Sequence, residues 1–141
     1  MLILHRLIFG SMIKLLRKVP AGVFSALFTV VILYLCLAPQ PLGDNQGWFS
    51  FPGADKVVHF GMFFALTAAY IWDYSKVAGA SRRNVWVMVA IAVVAIAIGG
   101  LIEVLQELMR LGRSMDMLDL LADAAGVVVA LGVMVLCKEK L

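Results

Sequence analysis

This sequence is poor in charge. Only 15% of its 141 residues are Asp, Glu, Lys or Arg, and 63% are hydrophobic, with a mean hydropathy of +0.99. An ordinary soluble domain is roughly 45–50% apolar, so this composition reads as one small integral membrane domain with no room for a second. Cysteine is scarce too. Cys36 and Cys137 both lie in apolar runs, near opposite ends of their spans in the topology below. That argues against a disulfide between them and leaves two buried, inert thiols. There is no HExxH-type metal motif, no internal repeat and no low-complexity tract. The net charge of +3 does not point to nucleic acid, because the positive charges gather at the chain ends and in one loop, as membrane insertion demands.

What is present is a series of apolar runs. Residues 1–18 form a basic amphipathic lead-in: Leu2, Ile3, Leu4, Leu7, Ile8, Leu15 and Leu16 alternate with Arg6, Lys14, Arg17 and Lys18. Such a segment lies among lipid head groups with its apolar face down. The membrane domain proper covers 19–141. Pro20 opens an apolar run to about residue 38, close to the length that crosses a bilayer. It exceeds the roughly 7–15 residues of a signal-peptide core, so an uncleaved first span is expected. Residues 39–54 hold Pro39, Pro41, Gly43, Gly47, Pro52 and Gly53 with Trp48, Phe49 and Phe51, a loop at the membrane interface. Further spans are expected over 55–72, 84–106 and 116–137, separated by a basic loop and by a short polar turn over 107–114. The fold class is therefore all-α, a bundle of four transmembrane helices.

Orientation follows from the basic residues. With both termini cytoplasmic, that side holds Arg6, Lys14, Arg17, Lys18, Lys76, Arg82, Arg83, Lys138 and Lys140, and the other only Lys56, Arg110 and Arg113. Most acidic residues fall on the outer side. Three polar groups then share the outer half of the bundle: Asp55, Lys56 and His59; Glu103 with Gln106; and Asp116, Asp119 and Asp123. Charge inside a transmembrane segment is costly, and its default reading is a functional site.

Each group also has a structural reading. Asp55 and His59 are four apart and share a helix face; Asp55 near a helix start is also a plausible cap. His59 lies a turn inside an apolar helix. It is either a satisfied structural histidine or a base, metal ligand or phosphate donor. Glu103 follows an uncharged run, with Gly99 and Gly100 before it to allow close helix approach. It is either paired with Arg110, two turns on, or a buried acid. Asp116, Asp119 and Asp123 are spaced by three and four, one helical stripe. Asp116 suits a cap, but Asp123 lies about 10 Å further along the helix, out of reach of any capping role. Three carboxylates on one stripe need cations, from Lys56, Arg110, Arg113 and His59 or from a divalent metal. Oxygen-rich sets suit Mg²⁺, Mn²⁺ or Ca²⁺, and one His with carboxylates suits Zn²⁺ or Mn²⁺; whether a metal is bound is left open. Arg110 and Arg113 are solvated residues or a clamp for an anionic head group. Gly126 and Gly132 are expected at close packing positions.

Three blocks together resemble the VanZ-like family of small bacterial membrane proteins. They are Asp55-Lys56-Val57-Val58-His59-Phe60 continuing to Phe63; Glu103-Val104-Leu105-Gln106; and Arg113, Asp116, Asp119, Asp123 and Gly126 in the pattern R-x-x-D-x-x-D-x-x-x-D-x-x-G. They run in family order, and the resemblance covers residues 20–137. Many members have Asn where this chain has Asp123. The resemblance implies a polytopic plasma-membrane protein tied to the cell envelope. The family is named for a member linked to teicoplanin resistance, and supplies no reaction.

The expectation is an outward-facing pocket that binds an anionic lipid or lipid-linked envelope precursor, with modification of that ligand as the further step and glycopeptide tolerance as a consequence. Lys56, Arg110 and Arg113 would hold phosphate or carboxylate, with Asp55, Gln106, Asp116 and Asp123 lining the pocket. His59 with Glu103 or Asp119 would be the acid–base group, since burial shifts such groups toward neutrality. Ser114 is the only hydroxyl near the third block, so water is the expected attacker. Two other classes compete. One is a non-enzymatic accessory protein whose polar network is structural, acting as a homo-oligomer or with an envelope partner. The other is an ion-coupled transporter, disfavoured because no polar residues line the inner half.

Overall fold

The computed structural model describes residues 11, 14–39, 52–79, 83–110 and 114–137. Among them all regular structure is helical, without strands. A helical turn over 14–18 precedes four longer helices: α1 (Val23–Leu37), α2 (Ala54–Ala78), α3 (Val85–Met109) and α4 (Met117–Leu136). Most of the amphipathic lead-in and the aromatic loop lie outside the described residues.

The helix ends follow local chemistry. Asn84 caps α3 by accepting the Trp86 N–H at 2.9 Å. Asp116 caps α4 by accepting the Leu118 N–H at 2.8 Å, as its position predicts. Asp55 is not a cap. The N-cap of α2 is Gly53, at φ 82, a left-handed backbone that glycine adopts without a Cβ penalty. Arg110 ends α3 in the same region, at φ 51. Helix α2 also runs six residues past its expected end, to Ala78. At that end Asp73 Oδ2 accepts from both Ser25 N, at 3.1 Å, and Ser25 Oγ, at 2.9 Å. Lys76 donates to the Val19 carbonyl at 2.7 Å. The start of α1 is thus tied to the end of α2.

Helices α3 and α4 are long and apolar enough to cross a membrane; α1 is apolar but has 15 residues. Only 28% of the most apolar stretch of each long helix is buried inside the protein. Leu27, Val30, Val93, Leu101, Leu121 and Val128 are all more than half exposed. A water-soluble protein does not leave so continuous an apolar exterior uncovered; a lipid-embedded one requires it. The interior is small and tightly packed, with Ile32, Phe63, Leu66, Ala92, Ala95, Ile102 and Val127 at its centre.

The most extensive contact joins α2 to α4, and it rests on Gly126. A Cβ placed there would lie well inside 3.0 Å of the Phe60 carbonyl oxygen and 3.0 Å from Phe64 N. The α4 backbone therefore lies directly on the α2 backbone, an approach only glycine permits. Gly99 does similar work on α3, where its missing Cβ leaves room for the Asp123 carboxylate and the Phe63 ring. Gly132, expected to be a packing position, is exposed instead, with nothing within 4 Å of its would-be Cβ.

Candidate functional site

The three polar groups of the sequence meet at one end of the bundle, where α2 and α4 begin and α3 ends. The buried residues of α4 (Asp123, Gly126, Val127, Ala130 and Met134) form one stripe. The contact at Gly126 presses that stripe against α2. One turn earlier on α4 this brings Asp123 to His59: Asp123 Oδ1 is 2.9 Å from His59 Nδ1. Both side chains are buried, with exposures of 0% and 3%. The other imidazole nitrogen, Nε2, faces Asp119 Oδ2 at 3.8 Å, beyond hydrogen-bond reach.

Glu103 comes from α3 and is fully buried. Its Oε2 accepts the backbone N–H of Asp116 at 2.8 Å, while Oε1 has no hydrogen-bond partner. Glu107 Oε2 accepts the N–H of Met115 at 3.2 Å. Two carboxylates of α3 thus receive the chain as it enters α4, where the helix dipole favours negative charge. This replaces the Glu103–Arg110 pair that spacing allows. Arg110 is exposed where α3 ends. Gln106 is buried and donates to the Cys36 carbonyl at 2.9 Å, fastening the end of α1 to α3.

Above this buried layer is a second, more open one. The Lys56 ammonium reaches Asp55 Oδ2 at 2.6 Å, Asp116 Oδ2 at 2.7 Å and Asp119 Oδ1 at 3.0 Å. Lys56 and the Leu118 N–H together hold the Asp116 carboxyl below the usual carboxylate range. With its ammonium shared among three carboxylates, Lys56 offsets only part of the rim's negative charge and is not free to meet an incoming anion. Across the two layers, five carboxylates (Asp55, Glu103, Asp116, Asp119 and Asp123) face Lys56 and His59.

Every candidate residue but one is therefore placed. His59, Glu103 and Asp123 form the buried layer, Asp55, Lys56 and Asp116 the rim, with the half-buried Asp119 between the two, and Gln106 and Arg110 the flank. Arg113 lies outside the described residues. The sequence pairs His59 with Glu103 or Asp119; the structure gives the hydrogen bond to Asp123. Sequence reasoning also overlooks Asp73, whose signal is a lone carboxylate in the last turns of an apolar helix. Asp73 sits at the opposite end and anchors α1, and with Ser25, Thr67 and Ser75 also buried the inner half is not free of polar residues in the way the sequence suggests.

Among curated proteins and among solved structures, nothing matches this chain. The family model described as VanZ/LLP1 does, over residues 7–138. That match takes in all four helices and every residue of the polar cluster, and by it this membrane protein belongs to the VanZ/LLP1 family.

Proposed function

We propose that this protein is a four-span protein of the plasma membrane with both termini cytoplasmic, and that its polar cluster binds and modifies the anionic head group of an envelope lipid or lipid-linked precursor. The observation that carries the reading is the buried layer itself. A fully buried Glu103 with an unpartnered oxygen stands beside an Asp123-bound His59 at one end of an apolar bundle. Such a carboxylate is costly to bury, and a hydrogen-bonded imidazole beside it is suited to moving a proton. Below the cluster, an apolar groove of about 320 Å³ opens between α2 and α3, lined by Leu66, Tyr70, Ile91 and Ile98 among others. Leu66 is two turns along α2 from His59, so an acyl chain in the groove would carry its head group at the level of the cluster. Because Lys56 is engaged by carboxylates, the anion falls to Arg110 and Arg113. In this reading the modification is a hydrolysis: water attacks the head-group ester, His59 with Glu103 or Asp119 takes its proton, and the proton passes to the leaving oxygen as the ester bond breaks. Altered teicoplanin tolerance would follow from a changed envelope precursor.

The test is turnover. The purified protein is reconstituted with a total bacterial lipid extract, and head groups are followed by mass spectrometry under varied divalent metals. A species that changes with wild type and not with a folded Glu103→Gln variant supports the reading. No change with wild type refutes it.

A second reading has its own support, because the same contacts join helices. His59–Asp123 ties α2 to α4, Glu103 ties α3 to the start of α4, and Gln106 ties α3 to α1. On that account the protein is a non-enzymatic accessory factor acting through partners. Glu103→Gln would then lower thermal stability, with no activity to lose.

A further inference from the structure

We infer that His59, Glu103 and Asp119 hold a divalent transition-metal ion of the manganese or zinc class, with Asp123 fixing the imidazole that binds it. The inference concerns the cluster described above but stands on its donor set alone; with Nε2 on an ion His59 could not also take a proton, so a loaded site would activate water through the ion instead. A protein that binds manganese and turns over no lipid would keep the site and lose the proposed function.

Geometry is the first support. One ligand atom from each of the three residues lies within 4.8 Å of the others. His59 Nδ1 is taken by Asp123, which leaves Nε2 facing Asp119. A carboxylate behind the far nitrogen of an imidazole is the usual outer support of a histidine metal ligand. The 3.8 Å from Nε2 to Asp119 Oδ2 is too long for a hydrogen bond. Two ligands each about 2.0–2.2 Å from one ion are themselves roughly 3–4 Å apart, so an ion fits between them.

Glu103 is the second, independent support. It is fully buried, and its Oε1 has no hydrogen-bond partner. A buried carboxylate oxygen without a donor calls for a cation. Lys56 does not supply it: its ammonium is shared among Asp55, Asp116 and Asp119, and among the described residues no ion pair joins it to Glu103. The same fact disposes of a second cluster, Asp55, Asp116 and Asp119, whose centre Lys56 already serves. One imidazole with two carboxylates suits manganese or zinc better than magnesium or calcium, which favour all-oxygen sets. The three ligands come from α2, α3 and α4, so the ion would also clamp the bundle.

The test uses the full chain in lipid nanodiscs, stripped with EDTA and titrated with Mn²⁺ while free ion is followed by electron paramagnetic resonance. Manganese avoids the two thiols, which prefer softer metals. The expected result is one equivalent per chain, with a rise in Tm that Mg²⁺ at the same concentration does not reproduce. Glu103→Gln and Asp119→Asn should each weaken binding at least tenfold. Asp123→Asn, which removes a supporting group and not a ligand, should weaken it roughly 10–100-fold. Glu107→Gln should leave it unchanged. Should Glu103→Gln fail to fold, Asp119→Asn carries the test, because its side chain is partly exposed and the His59–Asp123 bond survives it. Failure of wild type to bind either Mn²⁺ or Zn²⁺ stoichiometrically overturns the inference. So does Mn²⁺ binding that persists unaltered in Asp119→Asn.

Discussion

Replacing Gly126 by Ala should separate the two helices that build the site. The added methyl would lie well inside 3.0 Å of the Phe60 carbonyl oxygen, where ordinary contact begins at 3.4 Å. Its obstacle is the backbone of α2, so no rotamer change can make room. Helix α2 must move away from α4 by on the order of an ångström, the kind of shift that makes overpacking cost about 1–3 kcal/mol. With backbone as the obstacle, the upper end applies. Against it stands the gain of about 0.8–1 kcal/mol for Ala over Gly within a helix. The net expectation is a loss of about 2 kcal/mol. That corresponds to roughly 4–8 °C in Tm on the scaling for domains of this size. The movement reaches the site as well: Phe60 adjoins His59, and Asp123 is one turn from Gly126, so their 2.9 Å bond should stretch or break. Thermal unfolding in detergent, followed by tryptophan fluorescence, measures the effect. Gly132→Ala on the same helix is the control, since its methyl meets nothing within 4 Å and should be neutral or slightly stabilising. A Gly126→Ala protein that melts with Gly132→Ala, at or above wild type, would refute the close approach of α2 and α4 and the assembly of the site that depends on it.

Gln106→Leu removes the hydrogen bond to the Cys36 carbonyl; hydrogen bonds between membrane helices average about 0.6 kcal/mol and reach about 1.7, so denaturant unfolding should show a loss in that range. The Asp116 carboxyl is held below its ordinary value of 3.8 by Lys56 and the Leu118 N–H. A depressed carboxyl stabilises the fold above its unfolded pKa and loses that contribution as pH falls through the lower, folded value. The Tm gap between wild type and Asp116→Asn should therefore be flat from pH 7 to about 5 and close only below about 4; a gap that closes near neutral pH would show that another group controls it.

Much of the fold was legible in the sequence. Apolar run length marks α1, α3 and α4, and the residues Asn84 and Asp116 mark where the last two begin, because a cap is a contact between near neighbours in the chain. Run length alone ends α2 six residues short. Its last turns carry Asp73 and Lys76, which resemble an exit into water. What keeps them helical is tertiary: Asp73 accepts from Ser25, and Lys76 reaches Val19, contacts to an element some fifty residues earlier. Asp55 looked like a cap because carboxylates favour helix starts, but Gly53 takes that place and Asp55 turns to Lys56.

The candidate site divides the same way. Hydropathy and basic-residue bias alone place the chain in a membrane, since a lipid solvent acts on every residue separately. Helical spacing alone puts Asp116, Asp119 and Asp123 on one stripe and gathers three polar groups at one end. Spacing cannot choose a partner among them. Asp119 and Asp123 are one turn apart on the same face, and Glu103 has both Arg110 and the start of α4 within reach. The choice is made by helix contact. Gly126 lets α4 lie on α2, which brings Asp123 and not Asp119 to Nδ1 of His59. The left-handed turn at Arg110 ends α3, and Glu103 takes the Asp116 N–H. A hydrogen bond is decided within a few tenths of an ångström, and only the packed helices fix positions that finely.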